Sequence, residues 1–365
     1  MRILHIINSL ETAGAERLLV GMLPLMKQRG HEVHVAVING TESDFSRQLK
    51  EEGITLFLLG TARDKYNPFV VWWLRKYICQ YDLVHVHLFP AQYWAIMARL
   101  LWRSKAKFVT TEHNTFNSRC KYRLTTILDR WFYRHYDAIA CISEATYAFM
   151  RERVLGAVPM RIIRNGIDLK RFREAKGDRV QCLPSVPSDA FVMIQVARFQ
   201  PQKNQACVIR AMTKLPSQIH AVFVGEGDTM ENCKKLAISL GVTDRVHFLG
   251  IRSDVPELLS VSNIGVMSSV WEGFGLSAVE CMAAGLPVLA SHVEGLAQVV
   301  GDDRLLFDEN NEFDLAEKVL SLYRDFDYSV QMARLCSQRA DMFDVSGMVD
   351  SYLNFYGDVV NGNKI

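Results

Sequence analysis

Two glutamates eight positions apart, Glu272 and Glu280, flank a glycine-punctuated turn in the run Ser-Ser-Val-Trp-Glu-Gly-Phe-Gly-Leu-Ser-Ala-Val-Glu that begins at Ser268. Asn263 to Met267, just before it, is short and apolar like a buried strand, whereas Leu276, Val279, Met282 and Ala283 recur at helical spacing. Glu272, Gly273 and Gly275 therefore fall where a strand ends and a helix begins. Backbone N–H groups and the helix dipole at such a junction favour an anion. Glu280, about a turn and a half further on, is placed to reach back over the same crevice. Two carboxylates around an anion-binding turn suit a ligand that carries both phosphates and sugar hydroxyls, which points to a nucleotide sugar.

Other residues that could do chemistry also follow apolar runs. Arg198 closes the run Val192–Val196 and Lys203 opens the next helical stretch, so two cations five apart can clamp a diphosphate, one as a fork and one as a point charge. Gly14 lies in the turn between the first strand and the first helix, where backbone can approach a phosphate. His113 sits just past Phe108–Thr111. A lone histidine there is more often structural than catalytic. Gly225-Glu226-Gly227-Asp228 follows Ala221–Val224 and is either near a nucleotide or a packed turn. Asp325-Phe326-Asp327 is formally an Asp-x-Asp, but it stands in a polar stretch away from the other candidates and reads as solvated charge. No His/Cys/Asp set has convincing metal-ligand spacing, so no metal is expected.

The elements that must position these residues alternate along the whole chain. Strand-like runs are Ile3–Ile7, Val33–Ile38, Ile54–Leu59, Leu83–Leu88, Phe108–Thr111, Ala138–Ile142 and Arg161–Arg164, then Val192–Val196, Ala221–Val224, Val246–Leu249, Ile264–Met267, Pro287–Ala290 and Leu305–Phe307. Amphipathic stretches at 14–29, 43–52, 68–80, 89–102, 122–135 and 144–153 separate those of the first half. This alternation predicts an α/β protein with two Rossmann-like, doubly wound parallel-sheet domains. The expected boundaries are 1–173, a Pro-containing linker at Glu174–Asp189, 190–341, and a closing segment 342–365 whose apolar stripe docks on the first domain. Ligands of such sheets sit outside the carboxyl ends of the strands, so a central cleft that the two domains face is the expected site.

Composition sets further bounds. At 365 residues two domains are the natural division, and no apolar stretch reaches the ~20 residues of a membrane span. The N-terminus is not a signal peptide, and the eight cysteines lack a Cys-x-x-Cys. A cytoplasmic protein is expected. Residues 1–175 carry 26 Lys/Arg against 16 Asp/Glu, whereas the remainder carries 16 against 24. The basic first half should meet something anionic. Its aromatic-basic stretches, Phe69–Lys76 and Trp94–Lys107, suit an anionic membrane surface unless Trp72 and Trp73 are core residues.

With these residues on the page, the chain resembles a family 4 retaining glycosyltransferase of the GT-B fold over nearly its whole length. The markers are Glu272…Glu280, Arg198…Lys203, Asn165-Gly166-Ile167-Asp168 with Phe172, and Ala13-Gly14-Ala15-Glu16. The resemblance implies that Arg198 and Lys203 hold the donor diphosphate and that Glu280 takes the ribose hydroxyls. Glu272, with the amides of Gly273, Phe274 and Gly275 and with Leu276, orients the donor sugar. Gly14 contacts the phosphate, His113 lies beside the sugar ring, and Ile251 presents backbone to the base. Ala13 departs from the family's usual second glycine, and Cys281 stands where alanine is more usual.

The implied activity is metal-independent, retaining transfer of a hexose-type sugar from a UDP-sugar (or GDP-sugar) to a hydroxyl of a glycan or lipid-diphosphate-linked acceptor. The nucleotide sugar is a co-substrate and not a cofactor, no nucleic acid is involved, and the enzyme works in the cytoplasm or peripherally on the inner face of the membrane. The alternatives are a nucleotide-sugar epimerase of the same architecture and a non-catalytic sugar-nucleotide-binding subunit.

Overall fold

The apolar runs pair into two separate, wholly parallel sheets in the computed structural model, which describes residues 1–11, 14–113, 123–154, 156 and 158–365. Ala13, singled out above, lies outside the described residues, as does Cys120. The first sheet is built from β1 (Arg2–Ile7), β2 (Glu32–Val37), β3 (Thr55–Leu58), β4 (Leu83–His87), β5 (Lys107–Glu112), β6 (Ala138–Cys141) and β7 (Met160–Ile162). Its order is β3-β2-β1-β4-β5-β6-β7. The intervening helices are α1 (Gly14–Gln28), α2 (Asp44–Glu51), α3 (Val70–Ile78), α4 (Ala91–Trp102), α5 (Arg123–Tyr133) and α6 (Glu144–Val154).

The second sheet holds β8 (Phe191–Val196), β9 (Ile219–Val224), β10 (Val246–Phe248), β11 (Ile264–Met267), β12 (Val288–Ser291) and β13 (Leu306–Phe307), in the order β10-β9-β8-β11-β12-β13. Its helices are α7 (Leu169–Arg173), α8 (Arg179–Cys182), α9 (Gln205–Ala211), α10 (Met230–Ser239), α11 (Val255–Ser260), α12 (Leu276–Ala283), α13 (Glu294–Val300), α14 (Glu312–Arg324) and α15 (Phe326–Ala340). The chain ends in α16 (Val345–Asn361). No described helix is long and apolar enough to cross a membrane.

The chain divides into two compact units, Met1–Gly166 with Val345–Ile365, and Ile167–Asp344. The first boundary thus falls before the Glu174–Asp189 stretch read above as a linker. That stretch has its own partners in the second unit. Gly177 N donates to Ser260 Oγ (2.8 Å), Arg179 donates to Ala190 O (2.6 Å), and Cys182 and Leu183 are buried. Asp168 caps α7 by accepting from Arg171 N.

In the first unit α3, α4, α5 and α6 pack one face of the sheet. Leu4, Ile6, Val84, Val86, Phe108 and Ile139 form a continuous apolar core with Val70, Leu74, Ala95 and Met150. The opposite face presents the alternate strand residues, and several are polar: His5, His85, His87 and Thr111 are all buried. α16 belongs to this unit and covers part of that face. Tyr356 Oη lies 2.6 Å from His85 Nδ1, Tyr352 Oη lies 2.9 Å from Thr111 Oγ1, and Asp350 pairs with Arg29, just past the end of α1, at 2.7 Å. Trp72 and Trp73 divide: Trp73 packs against the core, whereas Trp72 is 58% exposed.

Candidate donor and catalytic site

Both sheets have a place where adjacent strands lead their loops in opposite directions, and ligands of open α/β sheets collect there. In the second sheet that place lies between β8 and β11. The loop after β8 carries Arg198 and Lys203, and the loop after β11 carries Glu272.

Buried polar groups tie these two loops together. Gln195 Nε2 reaches Lys203 O (3.1 Å) and Ser268 Oγ (3.1 Å), and Ser268 Oγ donates to Lys203 O (2.9 Å). Val270 N donates to Gln202 O (2.9 Å), and Gln202 Nε2 donates to Trp271 O (2.8 Å). Lys203 Nζ pairs with Glu272 Oε2, to which Ser269 Oγ also donates (3.3 Å). Arg198 is exposed, and among the described residues its guanidinium makes no hydrogen bond or ion pair. The loop therefore presents one neutralised cation and one open cation.

The turn that starts α12 follows Glu272. Gly275 takes a positive φ of 100° at the helix N-cap, a conformation suited to glycine. Phe274 is buried edge-to-face against Phe343, which anchors the turn (5.3 Å). Gly273 and Leu276 on either side are half-buried. Glu280 is 1% exposed in the second turn of α12, so it is a buried carboxylate and not a solvated one.

Gly295, in the first turn of α13, escaped the sequence reading. A β-carbon there would fall 2.1 Å from Glu272 O, so only glycine lets α13 pass this closely under the glutamate. A glycine within a helical pattern was the available signal, since it costs helix stability and tends to have a packing reason.

The Gly225–Asp228 segment is a packed turn. Gly225 has φ 130°, and a β-carbon on it would lie 2.2 Å from Ala197 O. Gly225 N donates to Gly250 O (2.8 Å), and Phe199 N donates to Glu226 O (2.9 Å). The turn thus braces the loop that carries Arg198. Next to Gly250, Ile251 is 71% exposed.

In the first unit the corresponding place lies between β1 and β4. Asn8, another residue missed in the sequence, bridges their loops by donating to Phe89 O (2.9 Å) and accepting from Ala91 N (3.1 Å). Gly14 opens α1 and is exposed. His113 directly follows β5. Burial lowers its pKa to about 4, and its Nε2 is buried without a hydrogen-bond partner. His87 lies beside it, with ring centroids 6.1 Å apart.

His87 belongs to a group that strand periodicity concealed. His5 and His85 are register partners on β1 and β4, and His87 is two residues further on the same face. Their ligand-type atoms lie within 4.8 Å of one another, the one such grouping among the described residues. Their hydrogen bonds limit what they can ligate. His85 uses Nδ1 on Tyr356 and Nε2 on Thr111 (2.8 Å), and His5 Nδ1 and His87 Nε2 share one bond (3.0 Å). In a neutral pair sharing one proton, only one outer nitrogen keeps a free lone pair. As arranged, the cluster is a hydrogen-bonded network beneath α16. Burial lowers His5 to about 3 and holds His85 and His87 well below 6.5.

Comparison with known proteins supplies the family. Residues 12–171 match the family described as Glycosyltransferase Family 4, and residues 184–339 match Glycosyl transferases group 1. The chain belongs to glycosyltransferase family 4. It is a glycosyltransferase of the GT-B type.

Similar enzymes include the N,N'-diacetylbacillosaminyl-diphospho-undecaprenol alpha-1,3-N-acetylgalactosaminyltransferase of Campylobacter jejuni, 25% identical over 361 residues, which are 93% of this chain and 94% of that enzyme. The UDP-Gal:alpha-D-GlcNAc-diphosphoundecaprenol alpha-1,3-galactosyltransferase of Escherichia coli is 26% identical over 302 residues, 77% of this chain and 76% of that one. Among solved structures, the Anabaena protein HepE in complex with UDP and glucose superimposes with a TM-score of 0.87 at 21% identity, covering 98% of this chain and all of that chain.

Proposed function

We propose that this glycosyltransferase moves a hexose-type sugar from a nucleotide sugar, UDP-linked in the first instance, to a hydroxyl of a lipid-diphosphate-linked glycan, with retention at the anomeric carbon and without a metal. The observation that carries the reading is the pairing of Lys203 with Glu272 at the switch point of the second sheet, with Arg198 on the same loop as Lys203 and unpaired among the described residues. Cations preset around a departing diphosphate stabilise charge that develops only in the transition state. Arg198 and Lys203 take that role, and Glu272 with the Gly273–Gly275 backbone orients the sugar. Glu280 binds ribose hydroxyls. His113 acts as a neutral imidazole whose free Nε2 can hydrogen-bond a sugar hydroxyl. As the glycosidic bond breaks, the leaving diphosphate accepts the proton of the incoming hydroxyl on the same face. Relatives named for diphosphoundecaprenol-linked acceptors support the acceptor class, and with such an acceptor the enzyme works peripherally at the inner face of a membrane.

The test is incubation with UDP-, GDP- and ADP-sugars, with and without lipid-diphosphate-linked glycan. Acceptor-dependent nucleotide release and a product with the donor's anomeric configuration are expected. Isomerised sugar without nucleotide release would show an epimerase, and binding without turnover would show a non-catalytic subunit.

A further inference from the structure

The helices α3, α4 and α5 bury their inner sides in the core of the first unit, yet their outer sides are not polar. Phe69 is 68% exposed, Trp72 58%, Leu101 60%, Ile127 61% and Trp131 40%. They belong to one helical layer. α3 packs on α4 and α4 on α5, Trp72 meets Trp102 edge-to-face at 5.1 Å, and Tyr93 stacks on Phe132 at 3.8 Å.

Charge on this layer is one-sided. From Lys65 to Thr111 the chain has seven Lys/Arg and a single acid, Asp82, whose carboxylate accepts from Arg2 N (2.8 Å). Two of the seven cations, Arg99 and Lys107, lie 2.9 and 3.7 Å from Asp137. Arg75, Lys76, Arg103 and Lys105 are exposed, and among the described residues none has an acidic partner. Arg75 lies over both Trp72 (5.4 Å) and Trp102 (4.7 Å), so its stem and the rings form one amphipathic patch.

We infer that the outer face of α3–α4–α5 is the surface on which this enzyme docks to an anionic lipid bilayer. Indoles prefer the boundary between headgroup and acyl chain, and the stems of Lys and Arg lie along apolar surface while their charges stay in the headgroups. Each cation near an anionic bilayer contributes about 1 kcal/mol. A protein partner is the poorer fit, because buried protein interfaces are depleted in lysine and, among the described residues, α3, α4 and α5 expose no acid to complement a basic partner, Asp129 being buried. The inference rests on the proposed function for the reason a membrane is met at all, but its test requires no sugar transfer.

That test is co-sedimentation of the full chain with phosphatidylglycerol vesicles and, separately, with phosphatidylcholine vesicles. Trp72→Ala with Leu101→Ser removes apolar anchors, and Arg75→Glu with Lys76→Glu reverses charge. The expected result is strong preference for phosphatidylglycerol, weakened by salt, with each double variant lowering partitioning about tenfold or more. Folding is checked by thermal melts, and transfer to a water-soluble acceptor fragment should be unchanged in both variants. Equal partitioning onto both vesicles, or full binding by both variants, would overturn the assignment. Self-association of the wild type that Trp72→Ala abolishes would give the face to a second copy and would also overturn it. Vesicle binding without sugar transfer to any acceptor would instead remove the proposed function and leave this surface standing.

Discussion

Lys203 and Glu272 neutralise each other across the loops that leave the two central strands of the second sheet, and among the described residues Arg198, on the same loop as Lys203, has no such counter-ion. A diphosphate arriving there must compete with Glu272 for Lys203, whereas it meets Arg198 free. Arg198→Ala and Lys203→Ala should each lower kcat by about 10²-fold, the usual effect of removing one group that stabilises developing charge. Thermal melts should show both variants folded, since both side chains sit on a solvent-facing loop. Turnover within twofold of wild type in both would reject the diphosphate assignment.

The same ion pair gives Glu272→Gln two opposite effects. Losing the carboxylate releases Lys203, and a partly exposed pair of this kind is worth about 1 kcal/mol, so UDP alone should bind about fivefold more tightly. Sugar transfer should fall, because a neutral amide oxygen accepts from a sugar hydroxyl less strongly than a carboxylate does. Calorimetry with UDP and a transfer assay read the two effects separately. Weaker UDP binding in the variant would mean that Glu272 does not compete for Lys203.

Much of this frame was legible in the residues. Parallel strands buried on both faces read as short apolar runs, and each of β1 to β13 falls on a run recognised from sequence. Arg198, Lys203 and Glu272 could be placed on loops beyond strands because each comes a few residues after such a run. The histidine network was not. His5 lies on β1 but His85 and His87 on β4, and only pairing register and the cover of α16 bring them together. The Glu174–Asp189 stretch looked like a linker because its few apolar residues are spaced irregularly. Its anchors are hydrogen bonds to α11 and neighbouring loops, which leave no periodic trace.

Acid should unfold the first unit from within. Unfolded, each imidazole titrates near 6.5, whereas in the fold His5 titrates at about 3 and His113 at about 4. Between these values the unfolded chain binds more protons. Stability is therefore fully present above about pH 6.5 and is lost as pH falls toward 4, by up to about 1.4 kcal/mol per pH unit for each proton taken up. Melting temperature measured across that window should fall steeply. In the same assays kcat should show no His113 titration between pH 6 and 8 (about 4 being its pKa), and His113→Gln should retain more activity than His113→Ala. A flat melting profile would contradict the burial of these rings.

EDTA should leave transfer intact. The one Asp-x-Asp of the chain is used structurally: Asp325 caps α15 by accepting from Tyr328 N (2.9 Å). The three-histidine group has one open lone pair in its hydrogen-bonded arrangement. Complete loss of activity in EDTA, restored by Mg²⁺ or Mn²⁺, would require a metal site and would return Asp325 and Asp327 to consideration.

Gly295 offers a test of the site's geometry that touches no charge. A methyl group at this position would sit 2.1 Å from Glu272 O and 2.9 Å from the carbonyl carbon of Gly273, so Gly295→Ala must push α13 and the Glu272 turn apart. Because Glu272 both holds Lys203 and leads into the helix at Gly275, the displacement moves cation, carboxylate and turn together. A shift of about 1 Å in groups that position a substrate can lower rate by about 10²-fold. The loss should appear in kcat more than in UDP affinity, since Arg198 sits on the other loop and remains available to the diphosphate. Wild-type kcat in a folded Gly295→Ala variant would show that the Glu272 turn is not where the sugar is oriented.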